Sequence, residues 1–375
     1  MPSITKIDAY AIRVPIAEPI KVAFGTFRDR PMVLVRITDS DGAEGWGEIW
    51  SNWPAVGAEH RARLAVDLGQ ALIGTSFEPG EAFRHMSRLT EVLVLQTGEV
   101  GPVTQVIAGI DIALWDLAAR RAGRSLAAFL SDQPMSRVPV YATGINPDGP
   151  ELFAAARLRE GHRAFKLKIG FGRERDLRNI AAMRAEIGPD CELMIDANQS
   201  FDLQTAAEIA NEAAVHNLRW FEEPMRVDTS LEAWDDLAAA SPVPLAGGEN
   251  LRGEDFPVWI ERGALKAWQP DITKWGGVTG CLDVGRAAIA AGDDYCPHVF
   301  GGGLASLASL HVLAAVGGGG TLEVDCHPNA GRELIVGDLL PVREGTVPVP
   351  GTPGLGAIPD MRALSPYVTW ASGDN

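Results

Sequence analysis

The feature that most constrains this fold is a regular alternation of strand-like and helix-like segments in the second part of the chain. Short apolar runs recur about 20 to 30 residues apart, and alanine-rich helical segments fill most of the gaps. Strand, helix and strand at this spacing predict a parallel sheet, and eight such runs predict a closed (β/α)₈-type barrel. The runs are Val138–Tyr141, Phe165–Ile169, Leu193–Ile195, Trp220–Phe221, Val243–Ala246, Ala267–Trp268, Tyr295–Cys296 and Thr321–Leu322.

The alternative architecture is a doubly wound open sheet. Such a sheet should carry a glycine-rich phosphate-binding turn after its first strand. The segment Tyr141-Ala-Thr-Gly-Ile-Asn is not such a turn. We therefore expect the barrel rather than the open sheet.

The N-terminal part has a different pattern and predicts an α+β capping domain over residues 1–125. Ile4–Val14 and Met32–Ile37 have strand composition, Asp41-Gly42 is a hairpin-turn signal, and residues 59–130 are helical in pattern. Between the strands, residues 15–30 are expected to form a loop. We expect the barrel at 126–345 and a Pro/Gly-rich tail at 346–375 that returns to the cap.

Composition excludes several classes of function. Apolar content of 46% and charged content of 22% are those of a soluble globular protein. The net charge of −16 argues against nucleic acid, because no basic stripe is present to neutralise phosphates, and against anionic membrane surfaces. The four cysteines show no metal-site spacing and indicate a reducing compartment. We see no signal peptide and no apolar run of membrane-span length, and we expect a cytoplasmic protein.

A pair of lysines carries the first chemical signal. Phe165, Leu167 and Ile169 alternate with Lys166 and Lys168, so both lysines point to one face of a strand. Repulsion and burial would lower the pKa of such a pair, which is how a lysine becomes a base near neutral pH. Alone, this pattern is more often a solvated strand face, and an aspartate after a strand is more often a helix N-cap.

The interpretation changes because titratable side chains follow seven consecutive strands. In a barrel, all of them project at the C-terminal rim, where barrel enzymes have their active sites. They are Lys166 and Lys168, Asp196, Glu222, Glu249, Asp271, His298 and Glu323.

These residue types predict a metal-assisted proton transfer. Asp196, Glu222 and Glu249 supply hard oxygen ligands on adjacent strands, which suit Mg²⁺ rather than zinc. The lysines lie on one flank of that metal and His298 on the other, with Asp271 placed to orient the imidazole. Two bases across a cation fit removal of a proton beside a carboxylate, with the metal and Glu323 stabilising the enediolate.

This order of motifs resembles the mandelate racemase/muconate lactonizing enzyme family of the enolase superfamily, specifically its mandelate racemase branch. The resemblance implies a (β/α)₇β barrel under an α+β cap. It implies Mg²⁺ bound by Asp196, Glu222 and Glu249, with Glu223 a weaker candidate, and it implies that Lys168 and the His298–Asp271 pair are the two bases. It further implies that Lys166 assists and that Glu323 is a hydrogen-bonding acid.

The resemblance also points to substrate contacts. Asn198 falls where the family contacts substrate, and the two aromatic N-terminal segments are expected to close over the rim, or else to pack on their own sheet. From these segments we take Phe24, Arg28 and Trp50 as candidates. The eighth-strand segment, Asp-Cys-His-Pro-Asn-Ala-Gly-Arg, departs from the family's usual form, which affects His327 and Asn329 but not Glu323.

Three functions follow from these expectations. The first is Mg²⁺-dependent dehydration of a sugar acid. The second is racemisation, epimerisation or lactone cycloisomerisation at the same site, since Lys-Leu-Lys-Ile-Gly-Phe-Gly is also similar to the family's galactarolactone cycloisomerases. The third, a non-catalytic barrel, predicts the loss of a ligand or base, and none is missing. The expected partners are a small carboxylate substrate and further copies of the chain in a homo-oligomer.

Overall fold

The computed structural model describes residues 2–22 and 25–373, and it begins with three antiparallel strands. The strands are β1 (Ile4–Val22), β2 (Gly25–Asp39) and β3 (Glu44–Ile49). The turn between β2 and β3 contains Gly42 at φ +81°, which is where the sequence predicts a hairpin turn. Asp39 closes this turn by accepting hydrogen bonds from the backbone N–H groups of Asp41 and Ala43.

The segment 15–30 is a paired hairpin arm and not the loop that we expected from sequence. Pro15 pairs with Asp29, and Val22 pairs with Gly25 at the far end. The register shifts between Pro15 and Ile20. Prolines within a strand indicate an edge strand or a loop, because they lack the N–H that a ladder needs. Here the ladder continues past them after a register shift.

Four helices follow and complete the cap. They are α1 (Gly57–Gly69), α2 (Pro79–Thr97), α3 (Val100–Arg121) and α4 (Leu126–Leu130). Helix α3 lies directly on β3, because Gly45 and Gly47 have no side chain. A Cβ atom on Gly47 would lie 2.1 Å from the carbonyl oxygen of Gly109. The Gly-Trp-Gly segment therefore sets a close helix–sheet contact.

Helix α3 meets the length and composition of a membrane span, contrary to our expectation from sequence. Of its most apolar window, 72% is buried inside the protein. It packs between the cap sheet and the barrel, as the core helix of a two-layer unit does.

Eight parallel strands form the barrel, in agreement with the eight runs. Each strand from β4 to β9 pairs with the next, and β11 pairs with β4. The strands are β4 (Arg137–Ile145), β5 (Ala164–Lys168), β6 (Glu192–Asp196), β7 (Leu218–Glu222), β8 (Leu245–Gly247), β9 (Ala267–Trp268), β10 (Asp294–Tyr295) and β11 (Leu322–Asp325).

Seven helices connect these strands, which gives the (β/α)₇β order. They are α5 (Pro150–Arg159), α6 (Arg173–Ile187), α7 (Leu203–Ala213), α8 (Leu231–Ala240), α9 (Asp255–Arg262), α10 (Gly277–Ala291) and α11 (Gly303–Val316). Helix α12 (Ala330–Val336), β12 (Thr346–Pro348), α13 (Met361–Leu364) and β13 (Val368–Ala371) end the chain. Strand β13 pairs with β1 at the edge of the cap sheet.

Alternation along the strands decides which side chains enter the barrel. Tyr141, Met194 and Trp220 pack together inside it. Their neighbours, such as Phe165, Leu193 and Phe221, pack outward under the helices. Because a strand has a period of two residues, the positions two residues after Met194 and Trp220 face inward at the rim.

Two buried carboxylates of the cap lie at the first turns of two barrel helices. Glu48 on β3 accepts hydrogen bonds from the backbone N–H groups of Gly302 and Ala305, at the start of α11. Asp111 on α3 accepts bonds from the N–H (2.9 Å) and hydroxyl (2.7 Å) of Thr279, in the first turn of α10. Both carboxylates satisfy N–H groups that a helix leaves unpaired. They join the cap to the two helices beside Asp271 and His298.

Candidate active site

The strand ends bring the predicted residues to one rim. Lys168 is the register partner of Asp196, and Asp196 is the register partner of Glu222. These positions are in phase with the side chains that fill the barrel, so they point into its mouth. The local fold therefore follows from strand alternation alone.

Lys166 lies deepest in this group and is fully buried. Its Nζ atom is 2.5 Å from Oε1 of Glu222, 2.9 Å from Oε1 of Glu323 and 3.6 Å from Oδ2 of Asp196. Burial opposes the charged amine, but the carboxylates outweigh it and hold the pKa of Lys166 well above its usual value.

Lys168 lies nearer the cavity. Its Nζ atom donates to Oδ2 of Asp196 at 2.5 Å and to Oδ1 of Asn198 at 2.8 Å. Burial lowers the pKa of Lys168, but the charges of Asp196 and Glu222 and the hydrogen bond to Asp196 together outweigh burial and raise it. The predicted lowering of both lysine pKa values is therefore wrong for this arrangement. Attraction by the surrounding carboxylates of Asp196, Glu222 and Glu323 outweighs the repulsion between the two amines.

The two glutamates at the end of β7, Glu222 and Glu223, have different surroundings. Glu222 accepts from Lys166, from Nε2 of Gln269 at 2.6 Å and from Nε1 of Trp220 at 3.2 Å. Burial, and then the charge of Asp196, raises its pKa to about 8. Glu223 has φ +37° and lines the cavity, where Nδ2 of Asn250 contacts both of its carboxylate oxygens.

Glu249 connects the two flanks of the site. Its Oε2 atom accepts from Nζ of Lys274 at 2.9 Å and lies 3.3 Å from Nε2 of His298. Burial opposes its charge, but the charges of His298 and Lys274 hold the pKa of Glu249 well below its usual value.

Asp271 and His298 form the predicted pair. Nδ1 of His298 lies 2.8 Å from Oδ2 of Asp271, and Oδ1 of Asp271 accepts from the N–H and hydroxyl of Thr273. Burial disfavours a charged imidazole, but the charges of Glu249 and Glu323 and the Asp271 hydrogen bond raise the pKa of His298 to about 9. Burial opposes the charge of Asp271, but the hydrogen bond from His298 and the charge of His298 outweigh burial and lower the pKa of Asp271.

A cavity of about 350 Å³ opens over these residues between cap and barrel. Its roof is aromatic, with Phe27 packed 4.7 Å from Trp53 and 5.6 Å from Phe300 between ring centroids. The lining residues are Phe27, Trp50, Asn52, Trp53, Thr143, Gly144, Lys168, Asn198, Gln199, Glu223, Arg226, Glu249, Asn250, Lys274, His298, Phe300 and Glu323.

The four candidate substrate-contact residues differ in where the structure places them. Asn198 and Trp50 line the cavity, and the Trp50 ring lies 5.4 Å from Nζ of Lys274. Arg28 is exposed and outside the lining, because strand alternation turns Phe27 inward and its neighbour outward. Phe24 lies outside the described residues.

The chemistry of this rim fits a hard cation. Six carboxylates, of Asp196, Glu222, Glu223, Glu249, Asp271 and Glu323, share the rim with three lysines, Lys166, Lys168 and Lys274. Burial and the charge of Glu249 raise the pKa of Glu223, and burial and the charge of Asp196 raise the pKa of Glu222. Both shifts indicate that the rim carries more negative than positive charge. Oxygen donors in this setting suit Mg²⁺. Within residues 2–22 and 25–373, no group of three or more acidic, histidine or cysteine side chains is already arranged to hold a metal ion.

Four site residues escaped the sequence analysis as active-site members. Gln269 donates to Glu222, Asn250 donates to Glu223, Lys274 donates to Glu249, and Arg226 lines the mouth. All four lie within four residues of a predicted ligand or base. Their position near a strand end is the feature of the sequence that could have identified them. A neutral amide at such a position, however, does not by its residue type indicate a role in an active site.

Two family models match the chain. One, for the N-terminal domain of mandelate racemase / muconate lactonizing enzyme, matches residues 6–131, and one described as enolase C-terminal domain-like matches residues 151–363. Together they span both structural units.

Individual proteins are similar over most of the chain. The D-galactarolactone cycloisomerase of Agrobacterium fabrum is 33% identical, covering 97% of this chain and 98% of that protein. The L-talarate/galactarate dehydratase of Salmonella typhimurium is 31% identical over 80% of this chain and 76% of its own. A crystal structure of a mandelate racemase/muconate lactonizing enzyme from Bordetella bronchiseptica RB50 superposes with a TM-score of 0.91 at 46% identity, covering 98% and 99% of the two chains.

Proposed function

Because the chain belongs to the mandelate racemase/muconate lactonizing enzyme family of the enolase superfamily, we propose that it removes the α proton of a sugar acid and eliminates the β-hydroxyl as water. It is an enzyme of the lyase or isomerase type. The observation that carries the proposal is that Lys168 and His298 line one cavity, with Glu249 between them. This supports an acid and a base on opposite sides of a bound carboxylate.

In the proposed reaction, Lys168 takes the proton from the α carbon. It is charged while Asp196 accepts its hydrogen bond. Once Asp196 is engaged elsewhere, burial and the charge of Lys166 both favour the neutral amine. Lys168 is then a base with its lone pair directed into the cavity.

Magnesium, held by Asp196, Glu222 and Glu249, would supply positive charge beside the substrate carboxylate. Lys166 would sit beside that carboxylate and offset charge on the enediolate as it forms. Glu323, 2.9 Å from Lys166, would donate a hydrogen bond to the same oxygens when protonated.

His298 would complete the elimination. Its Nδ1 is held by Asp271, so Nε2 is the nitrogen that reaches the cavity side, toward Glu249 and Glu323. A protonated Nε2 donates its proton to the departing β-hydroxyl, which leaves as water. The resulting enol takes up a proton at the β carbon and loses its hydroxyl proton, which gives the 2-keto acid. Lys168 then releases its proton and His298 regains one through solvent, so the net products are the keto acid and one water.

The test is incubation with a panel of aldonates and aldarates and Mg²⁺, with 2-keto acid formation as the readout. We expect keto acid from at least one acid, and exchange of its α proton in deuterated water. Absence of both across the panel would contradict the proposal.

The second candidate is cycloisomerisation, in which the leaving group is a ring oxygen on the β carbon. The similarity to a D-galactarolactone cycloisomerase supports it, and so does the aromatic roof of Phe27, Trp53 and Phe300, which suits a compact ring. The mass of the product separates the two reactions. Dehydration removes one water molecule, whereas ring opening leaves the mass unchanged.

Two wider expectations remain predictions. We expect a cytoplasmic enzyme and a homo-oligomer. Exposed apolar side chains on α2, including Val92 (67% exposed) and Leu95 (81%), give a surface on which copies can pack. Light scattering on the purified protein measures the assembly.

A further inference from the structure

Arg226 is a cavity-lining cation that the proposed reaction does not use. It follows β7 by four residues, and its side chain is 70% exposed at the mouth. Building on the proposed function, we propose that Arg226 binds a second carboxylate at the distal end of the substrate, so that the enzyme prefers sugar diacids over monoacids.

The backbone at Arg226 is fixed on several sides. The N–H of Val227 donates to Oε1 of Gln199 at 3.0 Å, and Nε1 of Trp234 donates to the carbonyl of Arg226 at 3.3 Å. Just before it, Met225 forms a β-bridge with Phe201. The side chain therefore pivots from a rigid point on the rim.

The guanidinium is available to a ligand. Its partner is Asp228, with Nε 2.8 Å from Oδ1 and the second nitrogen 2.5 Å from Oδ2. Asp228 is 61% exposed and is not part of the cavity lining. Exposed ion pairs of this kind contribute little stability, so a carboxylate inside the cavity can replace Asp228 at low cost.

The two lining lysines are already engaged. Lys168 is held by Asp196 and Asn198, and Lys274 by Glu249 and Asn250. Glu223, Glu249 and Glu323 line the same space, so a second substrate carboxylate is repelled unless it meets Arg226. The planar guanidinium fork matches a carboxylate with two parallel hydrogen bonds.

Neutral amides also line the cavity. Asn198 accepts a hydrogen bond from Lys168 at 2.8 Å, and Gln199 accepts one at 3.0 Å from the N–H of Val227, next to Arg226. Amides that both donate and accept suit the hydroxyls of a polyol. Cations for two carboxylates and amides in the same lining match a chain with a carboxylate at both ends.

The experiment compares an aldarate with the aldonate of the same configuration, on the wild type, Arg226→Gln and the control Asp228→Asn. We expect Arg226→Gln to lower kcat/KM for the diacid about 10- to 100-fold, mainly through KM, and to change the monoacid less than about twofold. Asp228→Asn should leave kcat/KM for the monoacid unchanged and should not lower kcat/KM for the diacid.

An equal loss on both acids, or no loss on the diacid, would overturn the role of Arg226 while leaving the proposed reaction in place. A wild type that turns over monoacids and rejects diacids would do the same. If the wild type neither turns over nor exchanges the α proton of any acid, the proposed function fails and the diacid preference with it.

Discussion

Nδ1 of His298 lies 2.8 Å from Oδ2 of Asp271, and both side chains are buried. The other oxygen of Asp271 is held by the N–H and hydroxyl of Thr273, so the carboxylate cannot turn away. The pair therefore fixes one tautomer of the imidazole and keeps Nε2 on the cavity side.

Asp271→Asn should remove the charge while keeping the shape. An amide stabilises the imidazolium less and can stabilise the wrong tautomer, so we expect kcat to fall about 10²- to 10⁴-fold. The measurement is steady-state turnover together with the pH profile. Thr273→Val, which removes one of the hydrogen bonds to Asp271, is the matched control and should cost far less. A drop below about tenfold for Asp271→Asn would contradict the proposed pairing.

Lys168→Met should abolish proton removal on one face of the substrate. Loss of a general base costs about 10²- to 10⁴-fold in rate. Deuterium incorporation at the α carbon, followed by NMR, is the direct readout, because it does not require elimination. Lys6→Met, at a lysine that is 62% exposed in the cap, is the control and should leave exchange intact. Unchanged exchange in the Lys168 variant would remove it from the proposed role.

Chelation of divalent cations should stop turnover, and Mg²⁺ should restore it. Calorimetry on single variants then assigns the ligands. We expect Asp196→Asn, Glu222→Gln and Glu249→Gln each to weaken Mg²⁺ binding about 100-fold or more, because each removes a charged oxygen donor. Glu223→Gln is the informative comparison, since Glu223 is the adjacent buried carboxylate. A larger loss for Glu223→Gln than for Glu222→Gln would reverse our ligand assignment.

Arg30→Met should destabilise the protein strongly. Arg30 and Asp325 form a buried ion pair at 2.6 Å between cap and barrel, and the guanidinium lies 4.1 Å from the centroid of the Phe300 ring. Removing Arg30 takes away the nearest cation of the buried Asp325, which keeps contacts to Arg332 at 3.3 Å and His327 at 3.2 Å, so the cost should lie at or below the ~3–5 kcal/mol of a fully unpaired buried charge. Urea unfolding measures the loss. In Arg30→Met/Asp325→Leu the cost should be smaller than the sum of the single changes, and additive losses would argue against direct coupling.

Glu48 should make stability depend on pH. Burial raises its pKa to about 7, against the hydrogen bonds from Ala305 and Gly302, which favour the charged form. The pKa of Glu48 in the folded protein lies above its unfolded value of 4.5. The stabilising contribution of Glu48 is therefore present at low pH and is lost as the pH rises from about 4.5 to about 7. The stability advantage of the wild type over Glu48→Gln should shrink across that window.

Unfolding at pH 5 and pH 7.5 measures this difference. Glu44→Gln on the same strand, at a side chain that is 39% exposed, is the control. A pH-independent gap between the wild type and Glu48→Gln would show that Glu48 does not titrate in this range.

The barrel and its charged rim were predictable because both follow from local periodicity. A strand that alternates, as at Lys166–Lys168, fixes which side chains face inward, and the strand end fixes where they project. The lysine pKa values were not predictable, since they depend on carboxylates from β6, β7 and β11. Likewise, Glu48 and Asp111 act on helices 254 and 168 residues away in sequence, and no local pattern identifies such partners.

Two barrel helices, α10 and α11, thus begin against acids that the barrel segment does not encode. Recombination between relatives would succeed only where the crossover retains each acid together with its helix. A foreign cap without an acid at position 48 or 111 would leave bare N–H groups beside the strand ends that carry Asp271 and His298. We therefore expect cap and barrel to work as a matched pair rather than as exchangeable modules.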